Sequence, residues 1–313
     1  MSGMPRLTIG LPVYNGENYL AESIEALLGQ SYGDFELIIS DNASVDATAE
    51  ICTRYQASDR RIKYFRHPSN IGAAPNHNFL VHQASGEFFK WASHDDLYAQ
   101  ELLASCMSAL DEQPDVILTH SWTALIDGSG IVTRAPRYQL RTASTSPAER
   151  FRSVLFDRGG DDDGGIIRTA VLRRTALNGS YYRADRTIVA ELALRGRFYH
   201  VPDWLYFRRD HPARAERAFR TVRGWCANLD PRRADRLRNP VVRLYGEYVW
   251  AFATAIRRSR LTLAEERDCY RALASWAADR AWRSLRDEPD SAGGAGAPAM
   301  SADAIVGRPW KVA

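Results

Sequence analysis

The first hundred residues alternate short apolar runs with segments of helical periodicity, and this alternation limits the folds that the chain can adopt. Runs with strand-like composition occupy residues 7–12, 35–40, 62–66 and 88–92. Between the first two runs, Leu20, Ile24 and Leu27 recur at helical spacing. Strand and helix in this rhythm predict parallel βαβ units, and therefore an α/β fold with helices on both faces of a mostly parallel twisted sheet.

Polar side chains follow each predicted strand at its carboxyl end. They are Tyr14 and Asn15, then Asp41 and Asn42, then Asn70, and finally Asp95 and Asp96. Open parallel sheets bind their ligands at this edge. Adjacent carboxylates at 95 and 96 repel each other unless a positive group shares the site, and a divalent cation carrying a diphosphate would supply it. The alternative is a solvated turn in which one aspartate caps a helix beginning near Leu97.

The composition excludes several classes of protein. With 313 residues, 45% hydrophobic and 25% charged, the chain is typical of a globular protein of one large or two fused domains. It contains no apolar run of about 20 residues and no signal-peptide core, so we expect a cytoplasmic location. A net charge of +3 argues against nucleic acid as a partner. No glycine-rich dinucleotide fingerprint or P-loop follows a strand.

Four motifs occur in order along the amino-terminal half. They are P-V-Y-N-G at residues 12–16, S-D-N-A-S-V-D at 40–46, N-I-G at 70–72 and S-H-D-D at 93–96. Together they resemble the inverting family-2 glycosyltransferases, which have a GT-A fold. The resemblance is specific over residues 5–110 and looser to about 212. It implies transfer of a sugar from a nucleoside diphosphate donor, UDP being favoured and GDP possible, to an acceptor hydroxyl.

The resemblance also implies roles for individual residues. Those around the nucleoside are Pro12, Val13, Tyr14, Glu17 and Asp41, with Asp41 facing the base. Those that shape the rest of the donor pocket are Asn42, Asn70, Gly72, Ser93, His94, Asp95 and Arg209, with Arg209 beside the diphosphate. The implied ligands of Mn²⁺ or Mg²⁺ are Asp95, Asp96 and His211. Ser93 stands where the family commonly has the first aspartate of an Asp-x-Asp metal motif.

Asp185 matches the carboxylate that serves as catalytic base in the family. An inverting transfer requires one such base next to the acceptor hydroxyl. Asp185 lies at the predicted start of a helix, whose positive end would keep it ionised and make it a weaker base. Two alternatives stay open, namely that Asp185 merely caps this helix and that Glu191 is the base.

We expect four regions along the chain. Residues 1–110 form the nucleotide-sugar-binding half, 111–214 the acceptor-binding half, 215–287 a helical appendage, and 288–313 a disordered tail. Residues 134–165 read as irregular, and their glycine- and acid-rich end at 158–165 is either a mobile loop or a lid. In the appendage, helices are predicted over residues 241–256 and from a capping box at Thr262 onwards.

Two other functions remain compatible with the sequence. One is a nucleotidyltransferase of related fold, which the lack of Lys or Arg in residues 12–16 disfavours. The other is a non-catalytic protein that binds nucleotide sugars or acts as a scaffold. The acceptor is a saccharide, a lipid-linked sugar or a small-molecule natural product. The carboxy-terminal helices suit a homodimer contact or a peripheral membrane contact. Arginines crowd residues 208–238, which we interpret as solvated helix faces; the alternative is attraction to an anionic acceptor, a diphosphate or a membrane surface.

Overall fold

The computed structural model describes residues 4–157, 159 and 162–285. The strands are β1 Leu7–Val13, β2 Phe35–Asp41, β3 Ile62–Arg66, β4 Phe88–Trp91, β5 Leu97–Tyr98, β6 Val116–Ile126, β7 Val132–Arg134, β8 Ile166–Arg168 and β9 Arg197–Arg209. The α-helices are α1 Leu20–Leu28, α2 Thr48–Ser58, α3 Ala73–Gln83, α4 Leu102–Glu112, α5 Pro147–Phe156, α6 Thr169–Leu172, α7 Ala184–Arg195, α8 Ala215–Ala218, α9 Val222–Leu229, α10 Val241–Arg258 and α11 Leu263–Leu285.

All nine strands join one sheet in the order β3-β2-β1-β4-β8-β6-β9-β5, with β7 paired to β6. The first four strands are parallel, as the βαβ pattern predicts. Strand β8 runs antiparallel to both β4 and β6, whereas β6 and β9 are parallel. The predicted fold class is therefore confirmed, with antiparallel pairs confined to β8 and the short strands β5 and β7.

Both faces of the sheet are covered by apolar packing. Along β2, Leu37 and Ile39 face one core together with α1, while Ile38 faces the second core with α3. This alternation follows from the two-residue period of a strand. The second core extends to α10 and α11, where Phe252 and Trp276 pack beside α5 and α7. Thus the predicted helical appendage is packed on the sheet domain through its own buried stripe.

Two predictions about local structure are wrong. Residues 134–165 are not irregular throughout, since they contain α5, which Ser146 caps by accepting a hydrogen bond from the Glu149 amide. The sequence S-P-A-E at 146–149 is a capping-box pattern that predicts this helix start. No helix begins near Leu97, because that residue pairs in β5 and α4 starts at Leu102. The predicted tail at 288–313 lies outside the described residues.

One other local prediction is confirmed. The capping box at Thr262 is present. The Glu265 carboxylate accepts a hydrogen bond from the Thr262 amide, and the Thr262 hydroxyl accepts one from the Glu265 amide. The four cysteines are buried thiols. Among the described residues, no helix combines the length and the apolar character needed to cross a bilayer.

Candidate donor and metal site

Asp95 and His211 meet at the carboxyl end of β4. The Asp95 Oδ2 atom lies 2.9 Å from His211 Nε2, and both side chains are largely buried. Asp95 Oδ1 accepts a hydrogen bond from the Ser93 hydroxyl. The serine that replaces the expected first aspartate therefore orients the second one. Arg214 Nη1 approaches Asp95 Oδ2, the oxygen that faces His211, at 3.4 Å.

Asp96 has a different environment from Asp95. Its side chain is fully buried, and its Oδ1 accepts from the Arg209 amide at 2.9 Å and from Arg214 Nη1 at 3.0 Å. Its Oδ2 accepts from the Tyr206 hydroxyl at 2.5 Å. Both oxygens thus bind protein donors, and Asp96 joins the β4 end to the end of β9.

The pKa values of the two carboxyl groups shift in opposite directions. Burial by itself would raise the pKa of Asp95, but attraction to His94 and Arg214 and hydrogen bonds from Ser93 and His211 lower it below its usual range. Burial raises the pKa of Asp96, and the adjacent Asp95 charge adds to this effect while Arg214 opposes it. Asp95 is therefore the member of the pair with the stronger preference for the ionised form that a cation requires.

Arg209 is an internal support of this site. Its side chain is only 1% exposed, and its guanidinium donates to the Asp95 carbonyl at 2.8 Å, to the Gly128 carbonyl at 3.0 Å and to Glu22 at 2.7 Å. These bonds hold the backbone at Asp95 in place. Direct contact of Arg209 with a diphosphate stays a prediction.

Close backbone approach explains the glycine of the first motif. A Cβ atom at Gly16 would lie 2.7 Å from the His94 ring and 2.6 Å from Val13. The Gly16 amide also donates to the Thr48 hydroxyl at 2.9 Å. Glycine therefore allows the loop after β1 to reach the loop that carries Asp95.

The loops after β1, β2 and β3 are bonded to one another. Asn15 accepts from the Val45 amide at 2.9 Å, and Glu17 accepts from the Ala47 amide at the same distance. Asn42 donates to Asn70 at 3.0 Å and also accepts from the Ile71 amide. The convergence of these polar residues at one edge, predicted from the strand ends, is present in the structure.

The residues predicted to hold the nucleoside differ in accessibility. Pro12 and Val13 are buried in β1, whereas Tyr14 is 45% exposed. Asp41 is fully buried and accepts from the Ser44 amide and the Tyr64 hydroxyl, both at 2.8 Å. A nucleobase would therefore reach Asp41 only after neighbouring side chains had moved.

Gly72 fixes the start of α3. Its φ angle is +91°, and a Cβ atom there would lie 2.4 Å from the Leu229 carbonyl oxygen. Only glycine combines this backbone conformation with such a close contact. Gly72 thus shapes the contact between the loop after β3 and the carboxy-terminal helices.

An open cavity of about 320 Å³ lies against His211. It is lined by Asp210, His211, Pro212, Arg217 and Arg220. Arg217 pairs with Asp210 and Arg220 is exposed. A cavity with two guanidinium groups beside an Asp–His pair suits a bound diphosphate.

Asp185 lies in the first turn of α7. The residue before the helix is Arg183, so Asp185 is not the cap, and that alternative is wrong. Its side chain is exposed to solvent, yet protein atoms surround much of it, and this burial raises its pKa despite hydrogen bonds from backbone amides. The backbone amides at the start of α7 lower this pKa, but burial has the larger effect and raises it. Glu191 is buried and paired with Arg195 at 2.7 Å.

A chain of contacts connects the Asp95 site to α7. Tyr206, which donates to Asp96, packs against Gly164, and the Gly164 carbonyl accepts from Lys90. The 3₁₀ turn Asp162–Gly164 packs in turn on α7. The described end of the acid- and glycine-rich segment therefore lies between the candidate metal ligands and the helix of the candidate base.

The protein ligands fit a cation that is shared with a substrate. Among the described residues, no group of three His, Cys, Asp or Glu side chains is arranged to hold a metal alone. Asp95 and His211 offer one oxygen and one nitrogen, which is enough where diphosphate oxygens and water complete the shell. Both oxygens of Asp96 already accept hydrogen bonds from the protein, and its role as a metal ligand stays a prediction.

Comparison of this chain with known proteins identifies its family. The model of the family "Glycosyl transferase family 2" matches residues 8–178, more than half of the chain. The chain belongs to glycosyl transferase family 2. This family-2 chain is 31% identical over 159 residues to an uncharacterised glycosyltransferase of Haemophilus influenzae, covering 50% of this chain and 63% of that relative. The family predicted from the four motifs is confirmed.

A second relative is the GalNAc(5)-diNAcBac-PP-undecaprenol beta-1,3-glucosyltransferase of Campylobacter jejuni, 26% identical over 66% of this chain and 67% of that protein. Among solved structures, S. aureus TarS 1-349 in complex with UDP-GlcNAc superimposes with a TM-score of 0.55 at 17% identity, over 87% of this chain and 80% of that one. The mannosyltransferase PcManGT from Pyrobaculum calidifontis, in complex with GDP-Man and Mn²⁺, gives 0.51 at 17% identity, over 97% and 79%. These structures share the GT-A fold with this chain.

Sequence reasoning missed several residues that build the site. Arg214, Tyr206 and Glu22 each contact the Asp95–Arg209 network. Arg214 belongs to a run of arginines that reads as a solvated helix face, and nothing in its spacing marks it as internal. Glu22 lies on the first helix, and only the folded chain brings it to Arg209.

Proposed function

We propose that this family-2 protein transfers a sugar from a nucleoside diphosphate donor to an acceptor hydroxyl with inversion at the anomeric carbon. The observation that carries the proposal is the Asp95–His211 pair, 2.9 Å apart beside an arginine-lined cavity at the carboxyl end of β4. The bound ligands named for TarS and PcManGT, UDP-GlcNAc and GDP-Man, support a donor of this class.

Asp95 and His211 would hold Mn²⁺ or Mg²⁺ together with the two donor phosphates. The cation would offset the negative charge that develops on the departing diphosphate. Ser93 keeps the Asp95 carboxylate in position, and Arg214 balances the charge of Asp95 and Asp96. Arg217 and Arg220 line the adjoining cavity and would contact phosphate oxygens.

Asp185 would act as the base. As the acceptor oxygen bonds to the anomeric carbon, Asp185 takes its proton, and the bond to the diphosphate oxygen breaks with the electron pair leaving on that oxygen. A raised pKa makes Asp185 a stronger base than an ordinary carboxylate. Its exposure leaves room for an acceptor to approach.

UDP is the favoured nucleotide because Asp41 can accept a hydrogen bond from uracil N3–H. Its oxygens accept from the Ser44 amide and the Tyr64 hydroxyl, and Arg66 Nε lies 3.5 Å from Oδ2, so the base would reach this carboxylate only after neighbouring side chains had moved. GDP is the second choice, since guanine also presents donors to a carboxylate.

The test is release of nucleoside diphosphate from UDP-, GDP- and dTDP-sugars with and without Mn²⁺. We expect one donor class to turn over, with a loss of at least about 100-fold in Asp95→Ala and in Asp185→Asn. Asp34→Asn, at an exposed carboxylate outside the site, is the matched control and retains activity. Unchanged turnover in both site variants would reject the mechanism, and donor binding without any turnover would reject the activity.

A further inference from the structure

One side of α10 exposes large apolar residues to solvent. Val242 is 83% exposed, Trp250 is 60% exposed and Val249 is 39% exposed, and Leu237 in the preceding turn is 94% exposed. We call these four residues the α10 flank. The opposite side of the same helix is buried through residues such as Leu244 and Ala255. Packing on the core therefore explains the buried apolar stripe of α10, but it does not explain why the flank residues are apolar.

Arginines surround the α10 flank. Arg236 and Arg238 adjoin Leu237, and Arg243 follows Val242 and donates to the Arg238 carbonyl at 2.7 Å. Arg257 stacks over the Trp250 ring with 5.7 Å between guanidinium and ring centre. The described carboxylates nearby are Asp235, 3.5 Å from Arg238, and Glu247, which pairs with Arg243 and Arg233. The four arginines beside the flank therefore outnumber the two carboxylates, which gives this surface an excess of positive charge.

We propose that the α10 flank docks this protein on an anionic lipid bilayer. Tryptophan favours the lipid–water boundary, aliphatic side chains enter the acyl region, and arginines extend to lipid phosphates. A second copy of the chain is the less suitable occupant. A two-fold dimer places identical patches against each other, which would bring like-charged arginines together.

Helix α10 packs against α7, which carries the candidate base. Tyr245 of α10 contacts Tyr182 with ring centres 6.0 Å apart, and Tyr182 is three residues before Asp185. A bilayer on the α10 flank would therefore lie one helix away from the start of α7. If the proposed function holds, an acceptor carried by that bilayer could reach Asp185, whereas lipid binding itself does not depend on catalysis.

Co-sedimentation of the full chain with vesicles tests the proposal without any turnover. We expect binding to vesicles of phosphatidylcholine mixed with phosphatidylglycerol, little binding to phosphatidylcholine alone, and weakening by salt. Replacing two of the arginines around the flank, in the double variant Arg236→Gln with Arg257→Gln, should weaken binding about 30-fold. Each basic residue contributes about fivefold to the affinity for anionic vesicles. Val242→Ser with Trp250→Ala should weaken it by at least about tenfold.

Matched controls separate the α10 flank from general surface effects. Ile131→Ser removes an aliphatic side chain that is 62% exposed elsewhere, and Arg54→Gln with Arg60→Gln removes two exposed charges near β3. Both controls should bind like the wild type, and all variants should melt alike. Equal binding by flank and control variants, or no binding to anionic vesicles, would overturn the proposal. So would a dimer in sedimentation velocity that Trp250→Ala dissociates.

Discussion

Glu36 joins the four parallel strands at the end of the sheet opposite the candidate site. The carboxylate is 4% exposed and accepts from the Thr8 hydroxyl of β1 at 2.6 Å. It also accepts from the amide and hydroxyl of Ser85, just before β4, at 2.9 and 2.6 Å. Lys63 of β3 donates to it at 2.6 Å. We predict that Glu36→Ala is among the most destabilising polar substitutions in this half of the sheet.

The magnitude follows from what the substitution leaves behind. The Thr8 hydroxyl is fully buried and the Ser85 amide is partly buried, so each loses its acceptor at a cost of about 1.5 to 2 kcal/mol. Lys63 is half-exposed and turns to water, which adds little. The total is about 3 to 4 kcal/mol, or a melting temperature lower by roughly 5 to 6 °C. Glu36→Gln keeps the shape and should cost about half as much.

Urea and thermal unfolding measure these differences. The control is Asp111→Ala, which breaks an exposed pair with Arg6 and should cost less than about 1 kcal/mol.

Burial raises the pKa of Glu36, but its hydrogen bonds from Lys63, Ser85 and Thr8 outweigh burial and lower it. The ionised group therefore stabilises the fold above the usual pKa of about 4.3, and this contribution is lost as pH falls through the lowered folded value. An equal loss of unfolding free energy in Glu36→Ala and Asp111→Ala would refute the reasoning. So would a difference in unfolding free energy between Glu36→Gln and the wild type that remains at acidic pH.

Two further predictions concern backbone conformation and pH. Gly72→Ala, at φ +91° and with a Cβ atom 2.4 Å from the Leu229 carbonyl, should lose at least about 2 kcal/mol in urea unfolding, whereas Gly33→Ala, with open space around it, should not. The acid limb of the transfer rate should lie above the usual aspartate pKa of about 3.9, because Asp185 has a raised pKa and must be ionised to act. Asp185→Asn should abolish that limb, and a limb that remains in the residual activity would assign it to another group.

The sequence predicts the donor half of the fold well because local patterns and topology agree there. Strand β3 has the predicted bounds, and β1, β2 and β4 differ by one residue at their ends. The polar residues at strand ends converge because parallel strands bring their carboxyl ends to one edge. Asn15, Asn42 and Asn70 are therefore predictable as neighbours, although not the individual bonds between their loops.

The remaining features depend on contacts between residues distant in sequence. Arg209 reaches Glu22 across 187 positions and Arg214 reaches Asp96 across 118, and no local pattern encodes either pair. The direction in which the pKa of Asp185 shifts likewise depends on its burial in the folded chain, which no local pattern encodes. Burial and pairing of polar groups are tertiary properties, and for this reason the supporting residues of the site were missed.

Calorimetric titration of Mn²⁺ and UDP into the protein tests the central claim most directly. If Asp95 and His211 hold the cation jointly with the diphosphate, the wild type and Asp34→Asn bind Mn²⁺ only when UDP is present. Asp95→Ala should then lose most of the Mn²⁺-dependent gain in UDP affinity. Equal Mn²⁺-dependent UDP binding by Asp95→Ala and the wild type would contradict the claim.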